Sequence, residues 1–95
     1  MSQFMILHIG FEQPTPEIME KWNQWFESVA HCSIEHGGLM NGRELSAEGV
    51  AELAWDRNAI TGYSILEADS IEAAEKLAST NPFISSIRIY EIRKH

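Results

Sequence analysis

The chain has 95 residues, of which 44 % are hydrophobic, and it carries a formal net charge of −7 at pH 7. This apolar content argues against disorder, and the length predicts one domain over residues 1–95. A domain of this size buries only a modest part of its surface on its own, so a partner subunit is expected. An acidic surface repels nucleic-acid phosphates and anionic lipids, so neither a nucleic acid nor a membrane is expected as a partner.

The first predicted element is a strand over residues 4–9. Its alternation places Phe4, Ile6 and His8 on one face, and the intervening residues on the other face are apolar as well. Because both faces are apolar, we expect both to be covered, one by helices and the other by the sheet of a second subunit.

The second predicted element is a long amphipathic helix. Thr15-Pro16 is typical of a helix start. The apolar spacing of three and four residues then continues towards Gly37-Gly38, a pair that favours a helix end, so the helix is expected to span about 20 residues. The positions that recur at this spacing are Ile18, Trp22, Trp25, Phe26, Val29 and Ser33.

The middle of the chain allows two interpretations. Asn41-Gly42 is typical of a hairpin turn, whereas residues 39–45 also fit one continuous strand in which the glycine marks a bulge. We favour the continuous strand, followed by a turn at Glu48-Gly49 and a return strand over residues 50–55. The residues of the return strand that then face inward are Ala51, Leu53 and Trp55.

The second half predicts a strand, a capped helix and a last strand. Residues 60–68 form the strand, Asp69 or Ser70 caps the helix, and Asn81-Pro82 ends it before a strand over residues 84–92. The complete order is strand, helix, strand, strand, strand, helix, strand. This order predicts an α+β fold, ferredoxin-like with an added hairpin strand, in which two helices cover one face of a mainly antiparallel sheet.

The second half also resembles the YCII-related family. The similar segments are Gly62-Tyr63-Ser64-Ile65-Leu66-Glu67-Ala68-Asp69-Ser70, Glu72-Ala73-Ala74 and Asn81-Pro82, while Trp22, Trp25 and Gly42 resemble the first half of its DGPF-containing branch. The likeness covers nearly the whole chain. It implies a dimeric α+β barrel, in which the sheets of two subunits pack face to face. In this arrangement the partner's sheet covers the second apolar face of the first predicted strand.

The same resemblance argues against carrying over the family's enzymatic machinery. Members proposed to be enzymes have a histidine in the first helix and an aspartate directly before the proline that follows the second helix. Phe26 and Asn81 hold these positions here, and neither side chain transfers protons at neutral pH. The DGPF motif is also replaced, by Ala54-Trp55-Asp56-Arg57-Asn58.

Histidines are the best candidates for proton transfer, because only histidine titrates near neutrality without perturbation. His8 is the candidate catalytic base, although a core histidine with one hydrogen bond explains its position as well. His31 and His36 lie five residues apart on the predicted helix, where a metal pair needs three or four, so no metal is expected. The glycines form no phosphate-binding loop, and no cofactor is expected.

The candidate ligand-binding groups are aromatic rings on the first helix and polar groups in the middle of the chain. They are Trp22, Trp25, Phe26, Arg43, Trp55, Asp56 and Arg57. The single Cys32 allows no internal disulfide and is expected to be a small buried side chain. The first residues show neither a basic leader nor a long apolar run, so a cytoplasmic location is expected.

Three functions remain open on the sequence alone. The favoured one is a small cytosolic dimer that binds a small apolar or aromatic molecule, or a partner, between the first helix and the sheet without catalysis. The second is a lyase- or isomerase-like enzyme with His8 as base and Arg43 or Arg57 as anion clamp. The third is a structural or regulatory interaction module.

Overall fold

The structure is a computed structural model that describes residues 1–93. The predicted domain extends to Lys94 and His95, which lie outside the described residues. The elements in chain order are β1 (Ser2–Ile9), α1 (Pro16–Ser28), β2 (Ser33–Gly38), β3 (Arg43–Ser46), β4 (Gly49–Glu52), β5 (Ile60–Ala68), α2 (Ile71–Ala78) and β6 (Ser86–Glu91). Within the described residues, no helix is both long enough and apolar enough to cross a membrane.

Four of the strands form one antiparallel sheet in the order β2-β5-β1-β6. In its centre, Phe4 of β1 pairs with Leu66 of β5 on one side and with Glu91 of β6 on the other. Together with α1 and α2, these strands follow the ferredoxin-like order strand, helix, strand, strand, helix, strand, which confirms the predicted α+β fold. Among residues 1–93, strands β3 and β4 pair only with each other and form a hairpin that lies between β2 and β5 in chain order.

Side-chain caps start both helices. Ile18 N donates a hydrogen bond to Thr15 Oγ1 at 3.2 Å, and Pro16 occupies the first turn as predicted. Ala73 N donates to Ser70 Oγ at 3.1 Å, so Ser70 is the cap of α2, and not Asp69. Each cap satisfies a backbone N–H that has no partner inside the helix.

The prediction that the first helix runs to Gly37-Gly38 is wrong. α1 ends at Ser28, and residues 33–38 form the edge strand β2. Gly37 therefore pairs with Tyr63 of β5 instead of capping a helix. The physical reason is that β2 supplies hydrogen-bond partners to the edge of β5, whose backbone groups a longer helix would leave unpaired.

The continuous strand predicted over residues 39–45 is also wrong. Asn41 has φ of 55°, a left-handed conformation that interrupts an extended chain, and pairing begins only at Arg43. The alternative hairpin at Asn41-Gly42 does not form either, because β2 and β3 are not neighbours. The turn between β3 and β4 lies close to the predicted one, with Gly49 at φ 120°.

The return strand is shorter than predicted and its side chains do not face inward. β4 ends at Glu52, whereas the prediction extended to Trp55. Ala51 is exposed, Leu53 is 53 % exposed and Trp55 is 45 % exposed. The hairpin forms a separate two-stranded sheet, so among residues 1–93 these side chains are only partly covered.

The core lies between the two helices and one face of the sheet. Phe4, Ile6 and Leu66 from the central strands are fully buried there. They pack against Trp25 of α1, against Val29 directly after this helix, and against Ala74 and Ala78 of α2. His8 follows Phe4 and Ile6 on this face and is 7 % exposed, which confirms that it points into a covered layer.

Candidate functional site

An open cleft of about 440 Å³ lies between α1 and one end of the sheet. Trp22 and Phe26 from α1 form one wall, and His8 of β1 and His36 of β2 lie on the sheet side. The loop between β1 and α1 contributes Phe11 and Glu12 to the lining. A cleft of this volume between a helix and a sheet is large enough for a small ring-shaped molecule.

Glycines keep the sheet side of the cleft open. In the sheet, Gly62 of β5 is paired with His8 on one side and with Gly38 on the other. A Cβ atom added at Gly38 would meet only the carbonyl oxygen of Thr61, at 4.0 Å, whereas one at Gly62 would lie 3.1 Å from the carbonyl oxygen of Gly37. Position 38 therefore faces open space, and a larger side chain there would enter the cleft.

Aromatic contacts connect the two histidines through the helix. The ring centroids are 5.0 Å apart for His8 and Trp22, 5.9 Å for Trp22 and Phe26, and 4.5 Å for Phe26 and His36. The first pair meets edge to face and the last pair is stacked, which are favourable arrangements of aromatic rings. These four rings, here called the aromatic wall, form a continuous surface along the cleft.

His8 is held as a neutral imidazole. Its Nε2 and the Oγ of Ser64 share a hydrogen bond of 3.2 Å, and its Nδ1 is buried with no partner among the described residues. Burial lowers the pKa of His8 from 6.5 to about 4, because the charged form loses its hydration. At pH 7 the side chain can accept or donate one further hydrogen bond, but it carries no charge.

The predicted ligand-binding residues fall into different parts of the structure. Trp22 and Phe26 line the cleft, but Trp25 is buried beneath it and donates from Nε1 to the carbonyl oxygen of Leu77 at 3.2 Å. Arg43, Trp55 and Asp56 line a second cleft, of about 590 Å³, together with Leu7. Since Leu7 alternates with Ile6 and His8 along β1, the second cleft lies on the other face of the sheet.

The candidate anion clamps are both engaged with carboxylates. Arg43 Nη1 lies 3.0 Å from Glu52 Oε1 within the hairpin, away from His8. Arg57 Nη1 lies 3.0 Å from Glu12 Oε1 at the border of the cleft. The same border is held by the hydrogen bond from Phe11 N to Asp56 O, at 2.8 Å.

Three lining residues were missed by sequence reasoning. His36 was assigned to the long helix, and its place in the cleft depends on β2, where it pairs with Ser64. Phe11 and Glu12 lie in a loop, where hydrophobic periodicity gives no signal for orientation.

Cys32 is half-buried at the edge of the core. Within the described residues, no group of three or more potential ligands could hold a metal ion.

The two positions that correspond to the YCII-related His/Asp pair have different surroundings. Phe26 lines the cleft, and its ring stacks on His36. Asn81 is 5 % exposed, and among the described residues neither Oδ1 nor Nδ2 of its side chain has a hydrogen-bond partner.

The fold and the cleft define a ferredoxin-like α+β protein with an aromatic site between its first helix and its sheet. A scan of family models finds no match, and a search of curated proteins finds none either. Among solved structures, the chain is similar to 5-chloro-2-hydroxyhydroquinone dehydrochlorinase (TftG) from Burkholderia phenoliruptrix AC1100, in complex with 2,5-dihydroxybenzoquinone. The TM-score is 0.54 at 9 % identity, over 98 % of this chain and 95 % of the other, so the likeness concerns the fold.

Proposed function

We propose that this chain binds a small, flat, apolar or aromatic molecule in the cleft beside α1, without catalysing its conversion. The observation that carries the proposal is the aromatic wall of His8, Trp22, Phe26 and His36 along an open space of about 440 Å³. Flat rings match such a wall because they stack on it or meet it edge to face. The structural neighbour TftG binds 2,5-dihydroxybenzoquinone, which is likewise a small, flat ring.

The surroundings of His8 support binding over the enzymatic alternative. With a pKa of about 4, His8 is largely unprotonated at pH 7, but it is a weak base. A weaker base provides less driving force for removing a proton from a substrate. Arg43 lies on the hairpin, and Arg57 is paired with Glu12. The proton-transfer mechanism with His8 as base and an arginine clamp therefore has less support than simple binding.

Ligand binding is expected to raise the melting temperature. At about ten times Kd, a ligand stabilises the folded state by about 1.4 kcal/mol, which corresponds to several degrees for a domain of this size. A neutral probe of suitable size is 1-naphthalenemethanol, with cyclohexylmethanol as its non-aromatic counterpart. Differential scanning fluorimetry should show a shift for the first probe and a smaller one for the second.

Gly38→Val is expected to abolish this shift, because its side chain enters open space in the cleft and its Cβ lies 4.0 Å from the nearest atom, the carbonyl oxygen of Thr61. The control is Ser86→Val, a similar change at an exposed position of the edge strand β6. The control should bind as the wild type does. If Gly38→Val binds the probe unchanged, the ligand does not occupy this cleft; if no probe binds the wild type, the interaction-module alternative gains support.

The proposal includes a cytosolic homodimer related to the YCII-related proteins. The outer sheet face and the hairpin expose Ile34, Leu45, Val50, Leu53 and Tyr90. Large exposed apolar surfaces are unusual in monomers. We expect sedimentation equilibrium to give twice the chain mass at micromolar concentration, and Leu45→Glu with Val50→Glu to shift the protein towards monomer. Sedimentation of the wild type as a monomer would contradict the dimer.

A further inference from the structure

The geometry points to an aromatic cation as the ligand of the cleft: a flat ring that carries an ammonium group. This inference rests on the proposed binding function and adds the charge of the ligand to it. Three features support it: the charges that line the cleft, the faces of its aromatic rings, and the position of Glu12 at its border.

The lining of the cleft contains one carboxylate and no permanent positive charge. Glu12 is among the lining residues, whereas no lysine or arginine of residues 1–93 is. The chain as a whole has a formal net charge of −7, and clefts concentrate the field of such a charge distribution. An anionic ligand would enter this cleft against the field, and Arg57 at its border is already paired with Glu12.

The aromatic wall offers a second source of attraction for a cation. The face of an indole or benzene ring carries partial negative charge and attracts an ammonium group within about 6 Å of the ring centroid. Trp22 and Phe26 both line the cleft, and their rings are tilted by 32° to each other at 5.9 Å. Phe11, which precedes Glu12 in the chain, is a third aromatic residue that lines the cleft.

Glu12 remains able to interact with a ligand although it is paired with Arg57. The pair uses one carboxylate oxygen, Oε1, at 3.0 Å, and the two side chains are 50 % and 61 % exposed. Exposed ion pairs of this kind are weak, and a carboxylate has about four acceptor positions. An ammonium group in the cleft can therefore bind Glu12 while its ring lies against the aromatic wall.

The test compares three probes of the same ring and similar size by isothermal titration calorimetry at pH 7.5. They are 1-naphthylmethylamine, which is a cation, 1-naphthalenemethanol, which is neutral, and 1-naphthoate, which is an anion. We expect the amine to bind at least about tenfold more tightly than the anion, with the alcohol between them. Tightest binding of the anion, or equal binding of all three probes, would overturn the inference while leaving the proposed binding function intact.

Variants of the ion pair make the test specific to Glu12. Glu12→Gln should weaken binding of the amine by about fivefold and binding of the alcohol by much less. The matched control is Glu17→Gln, an exposed glutamate in the first turn of α1 that does not line the cleft. Arg57→Gln should strengthen amine binding by releasing Glu12. Unchanged amine binding in Glu12→Gln would contradict the inference, whereas failure of every probe to bind the wild type would contradict the proposed function itself.

Discussion

Replacing Trp25 with alanine is expected to lower the free energy of unfolding by about 3–5 kcal/mol, the usual cost of removing a large buried ring. The side chain is 2 % exposed and packs against Ile6, Leu66 and Ala78, so it contacts both central strands and the second helix. Its Nε1 also donates to the carbonyl oxygen of Leu77 at 3.2 Å. One residue of α1 thus links every layer of the core.

Urea unfolding at constant protein concentration measures this effect. Trp25→Phe keeps most of the ring but loses the hydrogen bond to Leu77, and it should cost about 1–3 kcal/mol. Phe83→Ala is the control, because this ring is 47 % exposed and its loss should cost about 1 kcal/mol or less. An equal loss of stability in Trp25→Ala and Phe83→Ala would show that Trp25 is not part of a common core.

Elements with strong local signals could be predicted from the sequence. The strand predicted over residues 60–68 is β5, and the helix predicted after Asp69 or Ser70 begins at Ile71. In both cases the information is local, since alternation sets the buried face of a strand and a serine side chain caps a helix within three residues. The order of the second half, and with it the ferredoxin-like fold, followed from these signals.

The edge strand β2 could not be predicted because its stability comes from distant residues. Residues 33–38 contain only one large apolar side chain, Ile34, and two glycines that are typical of helix ends. Pairing with β5, about thirty residues later in the chain, makes this segment a strand. His36 was consequently placed on a helix, and one side of the cleft was missed.

The prediction that side chains of the hairpin face inward failed for a related reason. Alternation shows which residues of a strand share a face, but not whether anything covers that face. Arg43, Trp55 and Asp56 were therefore grouped with Trp22 and Phe26, although the sheet separates their two clefts. Loop contacts bring the two groups near each other: the rings of Phe11 and Trp55 have centroids 5.1 Å apart, and Phe11 N donates to Asp56 O at 2.8 Å.

The stability of the protein is expected to fall by about 3 kcal/mol between pH 7 and pH 4 because of His8 alone. Burial lowers its pKa from 6.5 to about 4 in the folded state. Between these values the unfolded chain binds a proton that the folded chain does not, so stability decreases as the pH falls. One pKa unit corresponds to about 1.4 kcal/mol, and about 2 kcal/mol should already be lost at pH 5.

The contribution of His8 can be separated from that of the carboxylates by a variant that does not titrate. His8→Gln retains a group that can hydrogen-bond to Ser64, and its stability should depend less on pH between 7 and 5 by about 2 kcal/mol. His31→Gln is the control, because it makes the same replacement at an exposed position outside the core. If wild type and His8→Gln lost stability in parallel, the folded protein would accept a proton at His8 as readily as the unfolded chain does. The imidazole would then be available as a cation in the cleft, and the aromatic wall would attract anions as well. The same urea titrations therefore test both the buried neutral state of His8 and the charge of the site beside it.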